Sequence, residues 1–154
     1  MSSLLDTQLG TLTFDGFEFC GVLKEGARAT PIALEVEGAD LLPSPCTLLP
    51  FDLAALVQRA LSRARDEHEE QVQVYVEHHM EEIGEEVWSD LLEGDGPVTA
   101  ERVRAQVRLR RIWGRVGTEV SLNLDYGLPE SVTDYVLSIA VGSDGAIEDV
   151  VMES

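Results

Sequence analysis

His78, His79 and Glu82 are the residues of this chain whose types and spacing come nearest to a reactive site. A histidine and a carboxylate four residues apart share one face of a helix, and that pair could hold a metal ion. The spacing is not HExxH, however, and a zinc site ordinarily takes at least three protein ligands where one helix face offers two. Solvent-facing histidines, with His79 packed beside Tyr75 and Met80, are the simpler expectation, and His68 belongs with them. Nucleophilic catalysis would need an activated group with a base and an orienting partner. Ser44, Cys20 and Cys46 qualify by type only, since none lies in a GxSxG turn. There is no P-loop and no GxGxxG after a strand, and with 29 acids close carboxylate pairs arise by chance. No cofactor is implied.

The stronger chemical signal is charge. From Asp66 to Asp95 the chain carries eleven acids before Asp95 itself, among them Glu70, Glu77, Glu81 and Glu85, and no lysine or arginine. Like charges at i,i+4 destabilise an isolated helix, so something else must hold this stretch. Val72, Val76, Met80, Ile83, Val87 and Leu91 recur at helical steps and predict one or two long amphipathic helices with one inward face. Exposed acid on a rigid helix suits a basic partner, whose association it would speed by electrostatic steering. Glu70, Glu77, Glu81 and Glu85 are the residues expected to meet it. Six of the eleven bases fall between Arg102 and Arg115, and pairing with the acidic helix is their expected role.

The elements that must carry these residues read clearly on either side. In the strand region 9–37, Leu12 and Phe14, Phe17 and Phe19, then Ile32, Leu34 and Val36 alternate, with turns at Asp15-Gly16 and around Gly26. Three prolines make 38–50 a connector, in which Leu41, Leu42, Leu48 and Leu49 are worth burying. A helical block follows over 51–107, opening with Leu53, Val57, Leu61 and Ala64. Gly94 to Pro97 interrupts it, and Thr99 caps a last short helix. Strands return over 109–152, where Tyr135, Leu137, Ile139 and Val141 alternate and Ser143-Asp144-Gly145 turns the last hairpin. The order predicts one α+β domain over 1–154. Its antiparallel sheet is built from N- and C-terminal strands, and a central block of two to four helices packs on one face.

At 154 residues and 44% apolar composition the chain can bury a core without staples. A net charge of −18 argues against binding nucleic acid or an anionic membrane, because both need clustered positive charge. No stretch approaches the ~20 apolar residues of a membrane span. The N-terminus has no basic, apolar signal pattern, and two cysteines without staple or metal spacing suit a reducing compartment. A cytoplasmic location is expected.

The tail from Asp134 to Ser154 resembles the C-terminal pattern of a bacterial group, domain-of-unknown-function family 2004. The matching features are Asp134-Tyr135, the apolar alternation through Val141, the Asp144-Gly145 turn and the closing Val151-Met152-Glu153-Ser154. Leu9-Gly10 before a strand pair is similar as well. The resemblance implies a small cytoplasmic bacterial protein of α+β fold with no assigned activity, and it transfers no functional residue to the helical block.

The residues thus favour a non-enzymatic protein-binding module, in its most concrete form an immunity or inhibitor protein against a basic toxin or nuclease. A small hydrolase or metal-dependent enzyme, with His78, His79 and Glu82 between helix and sheet, is the alternative. A homodimer formed through strand edges is a third.

Overall fold

The computed structural model describes residues 2–94 and 96–154, so the Asp95 of the expected turn lies outside the described residues. Four strands open the chain: β1 (Ser3–Asp6), β2 (Gly10–Phe14), β3 (Phe19–Glu25) and β4 (Arg28–Val36). The helices follow as α1 (Leu53–Glu67), α2 (Glu69–Glu82), α3 (Glu85–Leu91) and α4 (Ala100–Arg104). Four strands close it: β5 (Arg108–Val116), β6 (Val120–Gly127), β7 (Val136–Val141) and β8 (Ile147–Glu153). This is the α+β order that the alternation predicts, with β1 as an addition. β1 escapes a pattern search because it is short and one of its two inward residues, Asp6, is an acid.

All eight strands form one sheet in chain order. Every neighbouring pair is antiparallel except β4 and β5, which run parallel with Ile32 opposite Ile112. The sheet is thus the expected, mostly antiparallel one, with this single parallel junction. Its cause is the helical block: parallel neighbours need a long crossover, and the chain supplies one between β4 and β5. Leu12, Ile32, Leu34, Ile112, Leu122, Leu124 and Ile139 point to the helix side and are fully buried. Each contributes on the order of 1.5–3 kcal/mol. Phe17 is not among them, since it stands exposed in the β2–β3 turn.

Polar side chains fix the entry to the helices. Asp6, 2% exposed, accepts from the amides of Gln8 and Leu9, both at 2.8 Å, and of Leu48 at 2.7 Å. A buried carboxylate is tolerable when backbone donors surround it. These bonds tie the proline-rich connector to β1, bringing Leu48 and Leu49 into the core while Leu41 stays outside. Asp52 caps α1 through the Ala55 amide, and Thr99 caps α4 through the Arg102 amide, as its position predicts. On the far side of α1 the Tyr126 hydroxyl donates to the Val57 carbonyl at 2.9 Å, locking that helix to β6.

The acidic stretch is three helical pieces. His68 leaves helical geometry between α1 and α2, and Ile83 with Gly84 does so between α2 and α3. The second break resets the helical phase, so Val87 faces outward and Trp88 takes the buried position.

Candidate functional site

α2 has two unlike faces. Val72, Tyr75, Val76 and His79 point inward, following the 3, 1, 3 spacing of a helix seam. Glu70, Val74, Glu77 and Glu81 point outward, within about 60° of one another around the helix axis. Glu85 begins α3 beyond the break, with Glu86 beside it in the first turn. All four stripe residues and Glu85 are exposed, and Val74 at 52% is an apolar patch inside the acid. Glu77 accepts from the Gln73 amide at 3.0 Å. Among the described residues, none of Glu70, Glu77, Glu81 and Glu85 lies in an ion pair.

The inward face is a different kind of chemistry. The Tyr75 hydroxyl donates to the Tyr135 carbonyl at 2.9 Å and accepts from the Leu128 amide at 3.1 Å. Burial pushes its acidity down, that is, its pKa up. His79 is 1% exposed, with Nδ1 2.7 Å from the Tyr75 carbonyl and Nε2 3.0 Å from the Thr133 hydroxyl. A carbonyl only accepts, so Nδ1 carries the proton and Nε2 accepts from Thr133. Burial holds the imidazole pKa below its usual 6.5, and nearby His78 acts the same way. Arg110 completes the network. It sits at an irregularity in the β5–β6 register, and its guanidinium donates to the carbonyls of Thr133 and Tyr135 while pairing with Glu130 at 3.5 Å.

This arrangement settles where the metal candidates stand. His78 is half-buried, with its ring 5.0 Å from that of Tyr135, and Glu82 is exposed. His79 faces the loop at residues 128–135 with both nitrogens engaged. The structure does not gather the three into one ligand set. The one group of metal-capable side chains drawn together among the described residues is Asp15, Glu18 and Cys20, in the β2–β3 turn. There Asp15 accepts from the amides of Glu18 and Phe17, both at 2.9 Å, which lowers its pKa. Partial burial, and then the charge of Asp15, raise that of the Cys20 thiol. Those bonds account for the turn, and a thiol kept protonated is a poor ligand. Cys46 is buried, and burial raises its pKa too. Ser44 lies exposed in the connector.

Among the described residues, the arginines form no ion pair with the acidic helices, contrary to the expected pairing. Arg102 donates to the carbonyls of Pro97 and Leu92, Arg108 to those of Ala105 and Val107, and Arg115 pairs with Glu35 at 3.1 Å. Arg111 lies over Trp113, on the helix-free face of the sheet. Among the described residues one hydrogen bond links them to α2: Arg104 donates to the Gln73 side chain at 3.4 Å, and the same amide donates to Glu77. The bases serve carbonyls because the turns around α4 leave several carbonyls without helical partners, and guanidinium is well shaped to cap them.

No described helix is long and apolar enough to cross a membrane. Compared with family models, with curated proteins and with solved structures, the chain matches none.

Proposed function

We propose that the protein is a non-enzymatic binding module whose acidic α2–α3 surface meets a basic protein partner, with an immunity or inhibitor role against a basic toxin or nuclease as its most concrete form. The observation that carries this reading is the outward stripe Glu70, Val74, Glu77 and Glu81. It combines charge that is not neutralised within the described chain with an exposed apolar residue at its middle. Recognition surfaces commonly place an apolar centre inside a charged rim, and the rim sets association rate and partner choice. The inward network supports the same reading, since it holds α2 rigidly while leaving neither nitrogen of His79 free for a metal or a substrate proton. Membership of the domain-of-unknown-function family 2004, a bacterial source and a cytoplasmic location remain part of the proposal, carried by the tail residues and the cysteine usage.

The test is affinity capture from a lysate of the protein's own organism, washed at low and at high salt, with wild type beside a Glu70→Gln, Glu77→Gln, Glu81→Gln triple variant. A basic protein retained at low salt, released at high salt and absent from the variant's eluate is the expected result. Identical eluates from the two proteins would overturn the reading.

A further inference from the structure

The opposite side of α2 holds a second feature that the acidic stripe does not use. Between α1, α2, α4 and β7 lies a partly open cavity of about 440 Å³, walled by Leu61, Val72, Val76, Val107 and Leu137. Its volume falls in the ~300–1,000 Å³ range of small-molecule sites, and such sites are mostly apolar with a few placed polar groups. Here the charged groups are Arg65, Arg104 and Glu101. Arg65 and Arg104 also border the neighbouring depression, with Asp66, Glu69 and Gln73, which places both guanidiniums where the apolar cavity gives way to the surface. In a chain with 11 bases against 29 acids, two arginines at the mouth of one apolar cavity are a conspicuous placement.

Neither arginine is used up by the fold. Arg104 makes its bond to Gln73 through Nη1, while its Nε is shut away from solvent with no hydrogen-bond partner. Its Nη2 is neither buried nor bonded within the described chain, and it is the donor left for a ligand oxygen. Arg65 is exposed and has no ion pair among the described residues, although Asp66 and Glu69 stand nearby.

We propose that this cavity binds an amphipathic carboxylate, with an aliphatic body against Val72, Val76, Val107 and Leu137 and its acid group between Arg65 and Arg104. Guanidinium favours carboxylate because its planar donors match the two oxygens. Glu101, the one acid of the lining, disfavours a second negative group on the ligand and so selects a monoacid. The site is separate from the partner stripe. Either proposal can fail while the other stands.

Calorimetric titration with decanoate, below its aggregation concentration, tests it. Expected are saturable one-to-one binding to wild type, at least about tenfold weaker binding to Arg65→Gln and to Arg104→Gln, and much weaker binding of decanol. Leu137 and Val107 methyl resonances should shift on titration. Arg65 is exposed, so its variant folds even if the Arg104 variant does not. Absence of saturable binding, unchanged affinity in Arg65→Gln, or equal binding of decyltrimethylammonium would each overturn the proposal.

Discussion

The two faces of α2 show how differently one helix can use polar residues. Inward, the Tyr75 hydroxyl and His79 Nε2 bond the loop at 128–135 and His79 Nδ1 bonds the Tyr75 carbonyl of the same helix, so their polarity serves the fold. Outward, Glu70, Glu77 and Glu81 hold charge beside an exposed valine without an ion pair among the described residues, so their charge is left for something outside the fold. Partner satisfaction separates the faces, and residue type does not. A buried polar group that is fully bonded rigidifies a structure, whereas an exposed like-charged row slightly weakens it.

The contrast predicts that substitutions on the inner face cost far more than those on the outer. Replacing Tyr75 by Phe removes one hydroxyl and strands the buried Leu128 amide, while the Tyr135 carbonyl keeps only the longer bond from Arg110. Chemical denaturation should show a loss of about 2–3 kcal/mol. A loss under ~0.5 kcal/mol would mean that the loop is held by packing alone.

A smaller effect follows from His79. Its folded-state pKa lies below the 6.5 of the free side chain, so between the two values the unfolded chain binds more protons than the folded one. Stability from this group is therefore full above pH 6.5 and is lost as pH falls through the folded-state pKa. Melting curves between pH 7.5 and pH 5 should show a decline in wild type that is reduced in His79→Gln. Parallel declines would place the titration elsewhere.

The least effect, of opposite sign, belongs to the outer face. Glu81→Gln removes a like-charge neighbour four residues from Glu77 and should raise stability by about 0.2–0.5 kcal/mol at low salt. The gain should vanish at ~1 M salt, where the screening length is roughly 3 Å. A loss instead would show that Glu81 has a structural partner.

Much of the scaffold was legible in the sequence because it follows simple periods. Leu137, Ile139 and Val141 alternate as a strand with one buried face must, Leu53, Val57 and Ala64 repeat as a packed helix must, and Thr99 caps where its type and position suggest. The outward glutamates were legible too, since exposed acid has few other places to go. The inner face was not. Tyr75 and His79 find their partners some 50 residues away, at Leu128, Thr133 and Tyr135, and no local period encodes a contact of that kind. The break at Ile83-Gly84 was visible only as a glycine inside a helical pattern, yet it decides that Trp88 packs and Val87 does not. The parallel β4–β5 junction depends on where the crossover returns the chain, and strand sequences alone leave that open. The arginine segment misled because charge complementarity ignores unpaired carbonyls, which the turns around α4 supply at closer range.

The central claim is that the outward stripe of α2 is the partner surface, and one pair of substitutions tests it most directly. Val74 lies within the stripe and Val22, 45% exposed, lies on the helix-free face of the sheet. Both tolerate a long side chain by their exposure. Capture should be repeated with V74R and V22R beside wild type, and the amount of any salt-released basic protein measured by quantitative mass spectrometry. The account predicts that V74R loses that protein, since a positive charge replaces the apolar centre of an acidic surface, while V22R retains it. Retention by V74R with loss by V22R would contradict the account and move the partner surface to the open face of the sheet.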